Sequence, residues 1–114
     1  MSIFDTGNLL TVDNLKECGF KTIIQDSNNN IIEMVKHIRP LKISYDEACI
    51  SIYVSLNKEI DNIIVTIKNQ YERHSKFYTT DDIFGLNIII QYSKEELLKG
   101  VRRFAPYTND FKWD

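Results

Sequence analysis

The sequence is poor in the residues from which most cofactor sites are built. Its 114 residues include only two cysteines, two histidines and four glycines. The glycines are scattered along the chain, so no glycine-rich loop brings backbone donors close to a phosphate. We therefore expect neither a P-loop nor a dinucleotide-binding fingerprint, and we predict no bound cofactor.

Metal ligands and activated nucleophiles are equally sparse. His37 and His74 are far apart, and neither has a Cys or a second His within helical or turn reach. There is no G-x-S-x-G elbow to present a nucleophilic serine. Cys18 and Cys49 are interpreted as small buried hydrophobic residues. We predict no metal site and no catalytic residue, which favours a protein that is not an enzyme.

Long apolar runs and an excess of one charge are also missing. No run approaches the ~20 apolar residues needed to span a bilayer, and the first residues do not form a signal peptide, so we expect a cytoplasmic protein without membrane contact. The net charge is −2, from 14 basic and 16 acidic residues. Nucleic-acid binders usually carry a positive excess because counterion release supplies much of their affinity.

What the chain does contain is an ordinary globular composition. Apolar residues make up 43% and charged residues 26% of the sequence, which excludes wholesale disorder. The length is that of one domain. We therefore predict a single domain over residues 1–114, with residues 104–114 as an aromatic-rich C-terminal segment.

Local patterns predict the first half of the fold. Residues 11–19 form a short helix, with Thr11 as its N-cap and Gly19 as its left-handed stop. Residues 20–25 and 31–38 flank a polar run rich in Asn and predict a hairpin. The strictest alternation of apolar and polar residues lies at 49–56 and predicts a strand with one buried face.

The second half is ambiguous. Residues 58–74 have apolar side chains at helical spacing, although the run at 63–67 is β-branched, which is typical of a strand. Residues 86–92 read as a buried strand, and Ser93 begins a capping box that would open a helix reaching about Arg103. We favour helix 58–74 and strand 86–92 over the swapped assignment. The expected class is α+β: a mostly antiparallel sheet of four to five strands, with a long helix and shorter N- and C-terminal helices packed on one face.

Two features indicate a surface function. The segment after Pro106 carries aromatic side chains, and disordered tails are usually poor in these. It either folds back onto the core or anchors a partner, since Trp, Tyr and Arg dominate interface energetics. The residues predicted to bind that partner are Arg102, Arg103, Phe104, Tyr107, Phe111 and Trp113.

The other feature is basic. Basic side chains gather near the ends of the predicted helices, where compensation of the helix dipole is the simplest explanation and nucleic-acid contact is the alternative. The alternative set is Lys68, Arg73, Lys76, Lys94 and Lys99.

These features lead to a ranked functional hypothesis. We predict a non-enzymatic module that binds an unidentified protein or a second copy of itself. The Ile-, Asn- and Lys-rich composition is typical of low-GC genes, which suggests a small phage, mobile-element or immunity-type factor. A small nucleic-acid-associated domain is the alternative. The third candidate is a small-ligand binder or enzyme, with a site lined by Tyr45, Tyr53, His37 or Asp82.

Overall fold

The computed structural model describes residues 8–41, 48–69, 72–104 and 112–113, and it describes their side chains except at 41, 101–104 and 112–113. Within these residues the chain forms two helices and seven strands. In chain order they are α1 (Val12–Glu17), β1 (Lys21–Gln25), β2 (Ile31–Ile38), β3 (Pro40–Leu41), β4 (Cys49–Ser55), β5 (Ile63–Lys68), β6 (Arg73–Tyr78), α2 (Ile83–Phe104) and β7 (Lys112–Trp113).

Five of the strands form one antiparallel sheet, in the order β1-β2-β4-β5-β6. Strands β3 and β7 form a separate two-stranded pair in which Pro40 lies opposite Trp113. The predicted α+β class and antiparallel sheet are therefore confirmed. The sequence order of the sheet neighbours is nearly that of the chain, so short connections account for most of the pairing.

The N-terminal predictions are confirmed in detail. The Thr11 hydroxyl accepts a hydrogen bond from the Asn14 N–H at 3.2 Å, which caps α1. Gly19 has φ of +92° and ends the helix region in the conformation that glycine adopts most readily. Leu15 is fully buried and anchors the helix to the core. The predicted hairpin is the β1–β2 pair.

The core lies between the sheet and the helices. Strand residues that alternate along β2, β4 and β5 form one buried cluster with side chains from both helices. Leu86, Ile89 and Leu97 are the fully or nearly fully buried members from α2, which contacts β4 and β5. Burial of each such side chain is worth about 1.5–3 kcal/mol, so the apolar face of α2 is a major part of the fold.

Two predicted elements are wrong, because their secondary structures are exchanged. Residues 58–74, predicted as a helix, contain β5 and the start of β6. Residues 86–92, predicted as a strand, lie inside α2. In β5 every second residue is buried, so the two-residue period of the β-branched run decided the conformation rather than the weaker helical spacing around it.

The three consecutive isoleucines of α2 show why a helix is tolerated there. Ile89 is buried, Ile90 is half-buried and Ile88 is 57% exposed. Successive residues on a helix point in different directions, so the apolar run supplies both the core face and the outer surface. The helix propensity penalty of isoleucine is only a few tenths of a kcal/mol per residue, which core burial readily outweighs.

The predicted start of the C-terminal helix is also wrong. The Asp82 carboxylate accepts the Gly85 N–H at 2.7 Å and caps α2 eleven residues earlier than Ser93. Ser93 lies buried within the helix, where its hydroxyl donates to the Ile89 carbonyl at 2.7 Å. A Cβ on Gly85 would lie 2.0 Å from the Thr80 hydroxyl oxygen, so this glycine allows close packing at the cap. The long helix is therefore the C-terminal one.

Candidate protein-binding surface

Strand β6 is one of the two edges of the sheet, since β5 is its only partner among the described strands. Its pairing with β5 is regular, without a bulge, from Tyr78 opposite Ile63 to Arg73 opposite Lys68. An edge of this kind presents a row of unpaired backbone donors and acceptors to a neighbouring chain.

The phase of the β5–β6 ladder identifies those unpaired groups. The Asn69 N–H donates to the Glu72 carbonyl at 2.9 Å, immediately beyond the last strand pair. Antiparallel ladders alternate between bonded and non-bonded residue pairs, so counting from this bond fixes which residues face β5. Arg73, Ser75 and Phe77 are the residues whose N–H and C=O groups face away from β5. Within the described part of the chain no other backbone group bonds to them.

An exposed apolar stripe lies on α2, and two of its members, Ile88 and Tyr92, lie beside this edge. Phe84, Ile88 and Tyr92 are spaced four residues apart and are 72%, 57% and 48% exposed. Side chains at this spacing lie above one another on one side of a helix. Single exposed apolar residues need no explanation, but a contiguous set beside an open strand edge is typical of an interaction site. Strand β6 and this stripe are together called the edge surface.

A groove joins the two parts of the edge surface. It has a volume of about 480 Å³ and is lined by Lys76 and Tyr78 of β6 and by Ile88, Ile89 and Tyr92 of α2. Its walls are mainly apolar, with a phenol and an ammonium group at the strand side. Such a groove suits an apolar side chain delivered by a partner.

The charge in the groove is locally compensated. The Lys76 ammonium lies 3.4 Å from the Glu96 carboxylate and 5.4 Å from the centre of the Tyr92 ring. Burial raises the pKa of the Tyr78 phenol above its ordinary value, and the positive charge of Lys76 offsets part of that effect. Glu96 and Tyr92 of α2 therefore hold the Lys76 side chain over the groove. Because its pKa is raised, the Tyr78 phenol is neutral at pH 7.

The second face of the sheet, opposite the core cluster, carries two distinct rows. Strand pairing places Val35, Tyr53, Ile64 and Phe77 side by side as an apolar row that ends at β6. Phe77, at the edge, is 61% exposed. The apolar row therefore leads directly to the edge surface.

The adjacent row is polar and self-satisfied. His37 Nδ1 lies 2.8 Å from the Ser51 hydroxyl, and the Thr66 and Ser75 hydroxyls are 2.9 Å apart. Ser51 and His37 resemble a nucleophile and its general base, but catalysis would need a third group to orient the imidazole. None of the described carboxylates is hydrogen-bonded or ion-paired to His37, which is exposed on its strand.

The residues predicted to line a small-ligand site do not converge. His37 and Tyr53 lie on the second face of the sheet. Asp82 lies between β6 and α2, where it caps α2. Tyr45 lies outside the described residues. A separate cavity of about 340 Å³ lies near Leu10, the β4–β5 turn and Thr80, without either histidine.

The predicted basic set is also divided. Lys68 and Arg73 are cross-strand neighbours on the second face, while Lys76 points to the core side, toward Glu96. Lys94 and Lys99 lie in the second half of α2. The structure therefore does not bring the five into one patch.

The predicted partner-binding residues of the C-terminal segment are mostly beyond what the structure describes. Tyr107 and Phe111 lie outside the described residues, and only the backbone is described at Arg102, Arg103, Phe104 and Trp113. The Trp113 backbone pairs with Pro40. The role of these side chains remains a prediction.

Metal chemistry and comparison with other proteins add no alternative site. In the described ranges no three His, Cys, Asp or Glu side chains are grouped as metal ligands, and no helix there has the length and apolarity to cross a membrane. Cys18 and Cys49 are free thiols, half-buried and buried respectively. Neither a family of proteins, nor a curated protein, nor a solved structure matches this chain.

The edge surface is not predicted by the sequence analysis, for two reasons. The spacing of Phe84, Ile88 and Tyr92 is a visible helical signal. A strand assignment for residues 86–92 hides this signal, because residues four apart have no common helical side on a strand. The open edge of β6 carries no sequence signal of its own, since strand order is a property of the whole sheet.

Proposed function

We propose that this chain is a non-enzymatic protein-binding module that binds its partner through the edge surface. The observation that carries the proposal is the coincidence of a regular edge strand, which pairs with β5 alone among the described strands, with the exposed stripe Phe84–Ile88–Tyr92 of α2. Main-chain hydrogen bonds along an open strand supply affinity, and adjacent apolar pockets supply specificity. Arg73, Ser75 and Phe77 are exposed, which supports an edge that is accessible to a partner.

Photo-crosslinking tests this proposal directly. A photoreactive phenylalanine analogue replaces Phe84 in one variant and Ile60 in another, and both are irradiated in the native cell. Ile60 is a suitable control because it is 75% exposed but lies in the β4–β5 turn. We expect a protein adduct from position 84 and little from position 60. The absence of any protein adduct at position 84 would contradict the proposal.

The aromatic C-terminal segment is a second surface for the same function. Its predicted anchors are Phe104, Tyr107, Phe111 and Trp113, with Arg102 and Arg103 beside them. Ending the chain after Phe104 tests this surface. If the shortened chain stays folded and the Phe84 adduct persists, the segment is not the anchor, whereas loss of the adduct in a folded chain would move the site there.

The nucleic-acid alternative has its own measurement. Phosphate contacts are strongest at low salt, so a binder should be retained on a polyanion column at ~50 mM salt and released steeply as salt rises. The division of the basic residues between the two sheet faces favours no retention. Retention that is lost in Lys68→Ala and Arg73→Ala would favour nucleic-acid binding.

A further inference from the structure

We infer that the occupant of the edge surface is a second copy of this chain, paired antiparallel through β6 into one continuous sheet. The inference rests on the proposed function and names its partner. A two-fold symmetric contact is self-complementary: each residue meets a counterpart on the second copy, and the same pair recurs across the axis. The register, the charges and the apolar stripe each meet this condition.

The outward-facing backbone groups define the register. Within β6, Arg73, Ser75 and Phe77 are the residues that offer both N–H and C=O to a neighbour, so a bonded antiparallel pair between two β6 strands must join members of this set. The longest overlap places Ser75 opposite Ser75 of the second copy and Arg73 opposite Phe77. This arrangement forms about six main-chain hydrogen bonds, two for each of three residue pairs.

The side chains suit that register. On the second face of the sheet, the Arg73 guanidinium lies directly across from the exposed Phe77 ring of the other copy, an arrangement that favours cation–π contact. The two-fold axis generates this contact twice, once from the Arg73 of each copy. Moving the axis from Ser75 to Lys76 would leave two bonded residue pairs within β6 instead of three and would separate Arg73 from Phe77, which disfavours the shifted register.

Charge complementarity extends beyond the strand. The start of β6 is basic, with Arg73 beside Lys68. Its far end is acidic, since the Asp61 N–H bonds to the Thr79 hydroxyl at 2.9 Å and Asp81 follows Tyr78 by three residues. Antiparallel pairing brings the basic end of each copy alongside the acidic end of the other. Parallel pairing would place like charges together.

The helix stripe closes the contact on the other side of the sheet. Ile88 and Tyr92 line the groove next to β6, so they lie near the strand seam. The two-fold axis makes the α2 helices of the two copies antiparallel neighbours. Their exposed stripes then face each other across the seam, and each covers apolar area that is otherwise in water. Lys76 does not oppose this, because Glu96 of its own chain compensates its charge.

Replacing the central residue of the seam tests the inference. The Ser75 N–H faces away from β5, so Ser75→Pro removes a bond to the second copy without removing one from the sheet. Ser75→Ala is the matched control, since both variants lose the hydroxyl contact with Thr66 at 2.9 Å and only proline loses the N–H. We expect a wild-type dimer by sedimentation velocity at ~100 μM, a dimer for the alanine variant, and at least roughly tenfold weaker association for the proline variant, about 1.4 kcal/mol.

A label at the same position reports the register. Pyrene attached to Ser75→Cys, in a background of Cys18→Ser and Cys49→Ala, should give excimer fluorescence because the axis passes beside residue 75. The same label on Lys21→Cys, at the other edge of the sheet, should give none. Circular dichroism of each variant confirms that it remains folded.

The outcomes separate the inference from the proposed function. A wild-type monomer at ~100 μM, or a proline variant as dimeric as the alanine variant, would overturn pairing through β6. If the purified chain is monomeric but Phe84 crosslinks a different protein in the cell, the binding module stands and the second copy is replaced by that partner. A monomer without any Phe84 adduct overturns both.

Discussion

The two edges of the sheet differ in regularity, although both expose apolar side chains. At β1, Ile23 and Ile24 are 45% and 42% exposed, but the pairing with β2 shifts register on both sides of Ile24. At β6 the pairing with β5 is continuous, and Phe77 is 61% exposed. Bulges twist a strand and interrupt the row of groups that a neighbour would bind.

Exposed apolar area alone therefore does not identify an interface. The β1 edge has the area but not the straight backbone, whereas the β6 edge has both, together with a helix stripe beside it. Natural proteins commonly protect an edge strand by irregular pairing or by charge. By that criterion β1 is protected. On β6 the charge of Lys76 is compensated by Glu96, whereas Arg73 at the start of the strand is exposed and would lie across from the Phe77 ring of a second copy.

The largest effect on the free energy of unfolding should come from α2, the helix that carries the exposed stripe. Leu86→Ala removes a fully buried side chain and should lower the free energy of unfolding by about 2–5 kcal/mol. Ile88→Ala, only two residues away, should cost less than about 1 kcal/mol in the monomer because Ile88 is 57% exposed. Urea denaturation measures both. Similar losses at the two positions would indicate a strand, in which residues 86 and 88 share a face.

The next largest effect on stability compares β6 residues whose N–H groups face β5 with those whose N–H groups face away from it. The His74 N–H faces β5, so His74→Pro leaves an acceptor in the sheet unpaired and should cost about 1–3 kcal/mol or more. Ser75→Pro should have a clearly smaller effect on unfolding. Thermal denaturation of the two variants compares them at a concentration where the wild type is monomeric. Equal destabilisation would mean that the assigned hydrogen-bond phase is wrong.

A third pair of variants compares the edges for association. Phe77→Lys places a positive charge opposite Arg73 of the second copy, and should weaken dimerisation roughly tenfold or more. Ile24→Lys makes the same chemical change at the irregular edge and should leave dimerisation unchanged. Sedimentation velocity gives both dissociation constants. The reverse pattern would locate the interface at β1.

The smallest effect concerns the hairpin that ends the β1 edge. Asp26 accepts hydrogen bonds from the backbone N–H groups of Asn30, at 2.9 Å, and Asn28, at 2.8 Å, and these bonds lower the pKa of its carboxyl group. The folded state therefore binds this proton less tightly than the unfolded state. Its contribution to stability is present above pH ~4 and is lost as the pH falls through the lowered pKa.

Asp26→Asn isolates that contribution. The melting temperature of the variant should lie slightly below that of the wild type at pH 7, and the difference should shrink toward pH 2–3. A difference that is independent of pH would mean that the carboxylate charge has no part in the turn. Dimerisation should not change, because the β1–β2 hairpin lies away from β6.

Local sequence signals predict several elements of the fold correctly. Thr11 and Gly19 bound α1, the Asn-rich run sets the first hairpin, and alternation defines β4. Capping, turn formation and alternation each depend on a few neighbouring residues. They can therefore be read without knowledge of the rest of the chain.

The secondary structure in the second half of the chain and the position of the candidate site depend on tertiary contacts. Residues 63–67 and 88–90 are both β-branched runs, and local propensity does not distinguish them. Their conformations were settled by which side chains the core could bury: alternate residues in β5, but a helical face in α2. The edge position of β6 among the described strands follows from strand order. Its position beside Ile88 and Tyr92 follows from the packing of α2. Strand order is fixed by contacts between distant segments, and no local pattern encodes it.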